Sequence, residues 1–254
     1  MDTIEKTLEY HPLIMTLDSF DGVPKYALPD GYKFVFWNGD CDIENWINIH
    51  LRTGEFASWE EGESTFHSFY DKFYQELFKR CFFIENEKGE KIATATVSPS
   101  KEFGYDCVID WLGISRQYQG KNLARPLISQ TLTLAQNLGY DKIALHTQTH
   151  TWLAAKLYLD FGFAPYNIQD RRGWQILKTL TNHSSLKDFE TMKEEMFDPL
   201  IVNIKNQLDK MHREYFYSVW YIDGRNDVFV NDQGKFFHYK FFDEGKLLKK
   251  FKFI

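Results

Sequence analysis

Residues 108–163 read VIDWLGISRQYQGKNLARPLISQTLTLAQNLGYDKIALHTQTHTWLAAKLYLDFGF, and the rest of the chain is organised around them. The apolar run Val108–Ile114 predicts a strand, and Arg116–Asn122 a polar loop with Gly120 near its end. From Leu123 the apolar residues recur at 123, 127, 134 and 138, flanked by 124, 128 and 135, which is the spacing of one helix face. Gly139 follows the last of them, where a helix commonly stops in left-handed backbone. Ile143–His146 predicts the next strand and Trp152–Asp160 the next helix, with Phe161-Gly162-Phe163 turning out of it.

A strand, a glycine loop and a helix start leave several main-chain N–H groups without partners. Together with the helix dipole they attract a phosphate or pyrophosphate. Gly120 has no Cβ to hold a ligand away from the main chain. Pro126 lacks an N–H, which does no harm in the first helical turn and real harm deeper. The helix is therefore expected to begin near Leu123, leaving Gln117–Asn122 free as a phosphate-facing loop.

Gln117-Tyr118-Gln119-Gly120-Lys121-Asn122-Leu123-Ala124 resembles the pyrophosphate loop Q/R-x-x-G-x-G/A of the GNAT superfamily of acetyl-CoA-dependent N-acetyltransferases. Asn122 stands where that family carries Gly or Ala, and Asn tolerates left-handed backbone. Ala154-x-x-Leu157-Tyr158-x-x-Phe161-Gly162-Phe163 resembles the family's second signature, with Trp152 where many members carry Asn. A lone glycine loop says little, but two motifs in the right order, one helix and one strand apart, say much more together. The resemblance runs over roughly residues 31–180.

It implies an α+β fold of α/β/α layers, with a mixed central sheet whose parallel strands splay. It also implies acetyl-CoA as co-substrate, held by Leu112, Gly113, Ile114, Gln117, Gln119, Gly120, Lys121, Asn122, Leu123 and Ala124. The free backbone around Leu112-Gly113-Ile114 would pair with the pantetheine arm, and an N–H there would polarise the thioester carbonyl. Donors placed where negative charge develops are a large catalytic effect in acyl transfer. Tyr158 matches the family tyrosine that points at the cofactor sulfur and would protonate the leaving thiolate. The amine must also lose a proton. Asp110, on the central strand, and His146, ending the next one, are the candidates for that base, with Glu85 and Glu102 also open. His146 and His150 lack the carboxylate or thiol spacing of a metal site. The expected activity is acetyl transfer to the amine of a small molecule. The alternative is an acyl-CoA-binding protein that does not turn over and works through its C-terminal region.

Composition sets limits on partners. With 254 residues, one large domain or one plus a smaller one is expected. The formal net charge of −6 argues against a non-specific nucleic-acid binder. Three scattered cysteines, Cys41, Cys81 and Cys107, read as free thiols in a reducing compartment. No signal-peptide pattern or membrane-length apolar run is present in the sequence, so a cytoplasmic protein is expected.

Upstream, His11–Leu17 is apolar enough for a strand or a helical turn in an arm packed on the body. Asp18–Pro29 reads as a loop that could cross a substrate mouth. Lys33–Trp37 predicts a strand, Ile43–Arg52 and Ser64–Arg80 two helices, and Cys81–Glu85 and Lys91–Val97 a hairpin turned at Asn86–Gly89. In Lys91–Val97, Ala93, Ala95 and Val97 share one face, and Thr94 and Thr96 the other. The loop Gly54–Gly62 between the helices, with Phe56, Trp59, Glu60, Glu61 and nearby Glu63, is where an aromatic wall and negative charge would meet a cationic amine, although covering the core is the plainer role for it. After the core motifs, Gly173–Leu180 predicts a last strand, antiparallel to Pro165–Ile168.

The composition changes near Thr181, suggesting domains at 1–180 and 181–254. Leu186–Met196 and Leu200–Arg213 predict helices. Tyr215–Ile222, Val228–Val230, Lys235–Phe242 and Leu247–Phe253 predict an antiparallel meander, with turns at 223–226, 231–234 and 243–245. One face of such a meander must be covered, by its helices, by the first domain or by a second copy in a homodimer.

Overall fold

The computed structural model describes residues 4–166, 168–192, 194–222, 225–242 and 245–252. Residues 223–224 and 243–244 of the expected turns lie outside these. Seven strands form the main sheet: β1 (Pro12–Leu17), β2 (Tyr32–Phe36), β3 (Cys81–Asn86), β4 (Lys91–Pro99), β5 (Cys107–Ile114), β6 (Ile143–Gln148) and β7 (Ala164–Pro165). Their order across the sheet is β2-β3-β4-β5-β6-β1-β7. Among the described residues only β5 and β6 run parallel as neighbours, and they pair over just two positions, Val108↔Ala144 and Ile109↔Leu145. Beyond Ile109 the two strands splay, leaving Asp110–Ile114 without a ladder on the β6 side.

Strand alternation separates two cores. Phe82 and Ile84 of β3 enter a cluster with Leu127, Ile128 and Leu132 of α4 (Ala124–Asn137) and with Tyr158 and Leu159 of α5 (Trp152–Asp160). Cys81 and Phe83 point the other way, onto Trp46 and Ile47 of α1 (Cys41–Thr53) and Phe66 and Tyr70 of α2 (Trp59–Tyr70). The faces of β4 follow the predicted alternation: Ala93, Ala95 and Val97 join the α4 core, and Thr96 Oγ1 on the other face accepts from the Tyr70 hydroxyl at 3.1 Å. This is the layered α/β/α arrangement with a mixed sheet.

Three expectations are corrected. First, the second helix begins at Trp59 rather than Ser64. Ser58 Oγ accepts from the Glu61 N–H at 3.2 Å, and Glu61 Oε2 accepts from the Ala57 N–H at 2.7 Å, a reciprocal cap that starts the helix early. It ends at Tyr70. A 3-10 turn over Asp71–Glu76, with non-helical backbone at Phe73, separates it from α3 (Leu77–Arg80).

Second, Gly173–Leu180 is helical, within α6 (Arg171–Thr181), and not a strand. Asp170 caps it by accepting from the Gly173 N–H at 3.2 Å, and Trp174 and Leu177 recur at helical spacing into the core. The antiparallel partner of β7 is instead β1, through Met15↔Pro165 and Thr16↔Ala164, and β1 pairs on its other side with β6 from Pro12↔Gln148 to Leu17↔Ile143. Gly173 lets α6 press on β1: a Cβ there would lie 2.9 Å from Leu13 Cδ2 and 2.7 Å from Cβ of His11, just before the strand. Third, the described residues of Leu186–Met196 hold only 3-10 turns, at Ser184–Leu186 and Glu194–Met196.

From Asp198 onward the C-terminal segment follows the expected order of one helix and an antiparallel sheet. Helix α7 (Pro199–Met211) is capped by Asp198, whose Oδ1 accepts from the Leu200 N–H at 2.9 Å. Strands β8 (Tyr215–Ile222), β9 (Arg225–Asp232), β10 (Lys235–Phe241) and β11 (Leu247–Lys252) form an antiparallel sheet in the order β11-β10-β9-β8. Ile204 and Leu208 of α7 cover one face through Tyr217, Val228, Val230 and Tyr239.

Candidate active site

The break in the sheet is built into β5. Thr94 pairs with Gly113 and Thr96 with Asp110, so one extra residue of β5 is left over as a bulge. Trp111 takes φ +49° there, a left-handed backbone that a bulky residue adopts only when its surroundings hold it. They do. Its ring packs against Trp46, His50, Phe56 and Phe69, with centroids 5.0 to 5.4 Å apart. Gly113 brings α1 close to the strand, since an added Cβ would stand 3.0 Å from His50 Cε1 and 3.3 Å from Thr53 Cγ2.

The loop after β5 is shaped as its sequence predicts. A short 3-10 turn spans Arg116–Tyr118, and then Gly120 (φ +74°) and Asn122 (φ +59°) both take left-handed backbone ahead of α4. Alternation of this kind turns successive N–H groups toward one side, an anion-binding concavity. Gln119 Nε2 donates to the Ile114 carbonyl at 3.0 Å, tying the loop to the end of the strand.

Two cavities open on either side of this break. One, of about 620 Å³, is lined by Leu112, Gly113, Ile114, Gln119, Gly120, Asn122, Leu123 and Ala124, so eight of the ten predicted cofactor residues converge on it. Gln117 and Lys121 do not line it: Gln117 is exposed, and Lys121 lies over the Tyr118 ring at 4.6 Å. Arg125 joins the lining as a cation at the helix start, paired with Asp160 at 3.0 Å. The 18–29 segment passes here, with Tyr26–Pro29 forming part of the wall. Trp152 is absent from this lining, while Thr151, Leu153 and Ala154 take part.

The other cavity, of about 1150 Å³, is lined among others by His50, Phe69, Phe73, Asp110, Trp111 and His146. Glu55, Leu112, Thr151, Ala154 and Tyr158 line both cavities and mark their junction. Tyr158 is 6% exposed, and no described side chain hydrogen-bonds its hydroxyl. Burial pushes its phenol well above the ordinary value, with the Glu55 charge adding to the effect, so it is a proton donor at neutral pH.

The three predicted catalytic residues therefore face one cavity, but not equally. Asp110 is half-buried. Burial raises its carboxyl above the usual range, opposed by the nearby Ser98 hydroxyl, which itself lies outside full hydrogen-bond geometry. His146 is exposed, with Nε2 2.8 Å from Glu102 Oε2, at the solvent side of the cleft. The expected aromatic and acidic wall is different in kind: Phe56 is core, and Trp59, Glu60, Glu61 and Glu63 lie on α2 outside the lining. Phe69, Phe73 and Trp111 supply the aromatic surface instead.

Glu55 is the residue that sequence reading missed. It follows Gly54, the left-handed C-cap of α1, in a stretch that reads as an ordinary loop. Burial raises its carboxyl above the usual range, opposed by Lys6 and reinforced by Glu61. His50 was also missed. It is fully buried, burial holds its imidazole down to about 3, and both ring nitrogens lie outside hydrogen-bond geometry. Among the described residues no cluster of His, Cys, Asp or Glu could hold a metal ion. No helix among them is long and apolar enough to cross a membrane.

Residues 44–163 match the sequence profile of the Acetyltransferase (GNAT) family. Among solved structures, a GCN5-related N-acetyltransferase from Sphaerobacter thermophilus is 14% identical, with 63% of this chain and 49% of that one covered and a TM-score of 0.50. A tandem GNAT protein from the clavulanic acid biosynthesis pathway is 18% identical, covering 64% and 52%, at 0.46. A GNAT-family acetyltransferase from Colwellia psychrerythraea is 12% identical, covering 64% and 55%, at 0.47. The chain thus spans about half the length of these proteins. No curated protein matches the sequence. With the splayed strands, the glycine loop and the profile in agreement, residues 44–163 form an acetyltransferase domain of the GNAT family.

Proposed function

We propose that the protein transfers acetyl from acetyl-CoA to the amine of a small molecule by direct attack. The observation that carries this reading is the pair of cavities meeting at the β5–β6 splay with Tyr158 in both linings. The smaller one suits the donor. Main-chain N–H groups of residues 119–124, with the helix dipole and Arg125, receive the diphosphate. The arm lies along Leu112-Gly113-Ile114, whose main chain is left without a β6 partner, and an N–H of that segment polarises the thioester carbonyl. The larger cavity suits the acceptor. Trp111, Phe69 and Phe73 offer π faces to a cationic amine, and Glu55 and Asp110 offer negative charge.

The chemistry divides between the two sides. A group facing the acceptor cavity takes the amine proton, and Tyr158 gives its proton to the departing sulfur. Acetyl-CoA points to a cytoplasmic setting. The C-terminal sheet, with its own helix-covered core, is read as an accessory unit from residue 181 onward. The test is release of free thiol from acetyl-CoA across a panel of primary amines, with calorimetry for donor binding. Amine-dependent thiol release supports the reading, and donor binding with no amine-dependent release leaves a binding protein.

A further inference from the structure

We infer that Glu55 is the base that deprotonates the acceptor amine, and that strand β8 with Lys6 holds it in place. This rests on the acyl-transfer reading above. Of the carboxylates and imidazoles facing the wide cleft, Glu55 alone among the described residues lines both cavities with Tyr158, where the amine nitrogen and the thioester carbon must meet. Asp110 and His146 line the acceptor side only, and His146 is engaged by Glu102 at the surface.

The position of Glu55 is built rather than incidental. Its N–H faces the His50 carbonyl at 3.2 Å and Thr53 Oγ1 at 3.3 Å. The preceding Gly54, at φ +85°, has the Phe216 ring of β8 against its Cα, so that a Cβ would lie 2.8 Å from Phe216 Cδ1. Lys6 Nζ donates to the Gly54 carbonyl at 3.2 Å and to Ser218 Oγ of β8 at 3.2 Å. The same strand reaches the donor side: Arg116 Nη1 donates to the Tyr215 carbonyl at 3.1 Å, and its guanidinium lies over the Phe216 ring at 4.7 Å. One strand outside the matched family region thus touches both the residue before Glu55 and the loop after β5. This gives the C-terminal sheet a role in the active site.

The acceptor ammonium passes one proton to a Glu55 oxygen, and the freed lone pair forms the N–C bond to the acetyl carbon. The C–S bond breaks with its electron pair leaving on sulfur, which takes the Tyr158 proton. The phenolate recovers a proton from the acetylated nitrogen, and Glu55 releases its own to solvent. The charged groups acting on Glu55 are Lys6 and Glu61; its own charge raises the Tyr158 phenol, and His50 lines the same cleft as a neutral imidazole.

The test uses the full chain with ethylamine, cationic near pH 7.5, and trifluoroethylamine, largely neutral there. Both are small enough to enter whatever the natural acceptor is. Glu55→Gln is expected to lower kcat with ethylamine by on the order of 10²–10⁴-fold and to change the rate with trifluoroethylamine far less, with acetyl-CoA affinity intact. A structural role would reduce both rates together, and that result overturns the inference. Lys6→Met, which removes the charge opposing the raised carboxyl, is expected to move the acid limb of the ethylamine profile to higher pH. An unmoved limb removes the bracing role of Lys6. Wild-type protein that turns over neither amine removes the acyl-transfer reading and this one with it. Wild-type turnover with Glu55→Gln unaffected for both amines removes this one alone.

Discussion

The contact between Gly113 and His50 offers a test of how tightly the sheet break is built. In Gly113→Ala the new Cβ meets His50 Cε1 at 3.0 Å, His50 Nδ1 at 3.2 Å and Thr53 Cγ2 at 3.3 Å. Each is a few tenths of an ångström inside ordinary contact, so something must give. His50 has little room to retreat, because Trp46 lies 4.5 Å from its ring centroid, Trp111 5.2 Å and Phe56 5.6 Å. The strand would move instead. Overpacking of a full core costs about 1–3 kcal/mol. At roughly 2–4 °C per kcal/mol for a chain of this size, Tm should fall by several degrees. Because the displaced segment is Leu112–Ile114, acetyl-CoA affinity should fall with it. Thermal melting by circular dichroism and calorimetric titration with acetyl-CoA measure the two effects. A variant with unchanged Tm and unchanged donor affinity would refute the claim that α1 braces this strand.

Further outcomes follow from other parts of the site. Tyr158→Phe removes a buried hydroxyl that no described side chain hydrogen-bonds, so Tm should hold or rise slightly, acetyl-CoA affinity should hold, and kcat should fall about 10²-fold or more. A rate within a factor of three of wild type would exclude the acid role. Gly120→Val forces a β-branched residue to φ +74°, at a strain of about 1–3 kcal/mol. With no atom within 4 Å of the added Cβ, the loss should appear mainly as weaker donor binding, read by titration, with little change in the fold's circular dichroism.

The buried histidines make stability depend on pH. His50 is held down to about 3 and His150 to about 4 from an ordinary 6.5, so below pH 6.5 the unfolded chain binds protons that the folded one refuses. Their stability contribution is complete above that value and is lost as pH falls toward the folded values, by up to about 1.4 kcal/mol per pH unit for each. Urea midpoints from pH 7 to pH 4 should drop accordingly, with a shallower slope in His50→Gln. Equal slopes for both proteins would count against a neutral His50.

The local chemistry of the donor site was legible in the sequence because it is local. Gly120, Asn122 and the position of Pro126 determine a left-handed loop and a helix start through backbone sterics alone. The alternation in Lys91–Val97 sorts residues between two cores in the same way. Where helix caps were overlooked, the reading failed for a physical reason: Ser58 with Glu61, and Asp170 ahead of Gly173, satisfy helix N–H groups and so start α2 and α6 where apolar periodicity alone did not place them. Both signals were present in the sequence.

Other features had no local signal. Nothing in Pro12–Leu17 says that it will take the sheet position beside β6, since strand partners are chosen by which edge remains open. Nothing in Trp111 announces φ +49°, because that strain is held by side chains from α1 and α2. Glu55 lies in a stretch that reads as an ordinary loop after a helix, and it meets Tyr158, about a hundred positions later, only through the packing of α1 and α5 on the splayed sheet. The sequence by itself determined the central strands Lys91–Val97 and Val108–Ile114, the glycine loop and the resemblance to the family. The tertiary structure alone decided which carboxylate stands at the junction of the cavities, because burial and proximity are properties of the packed chain.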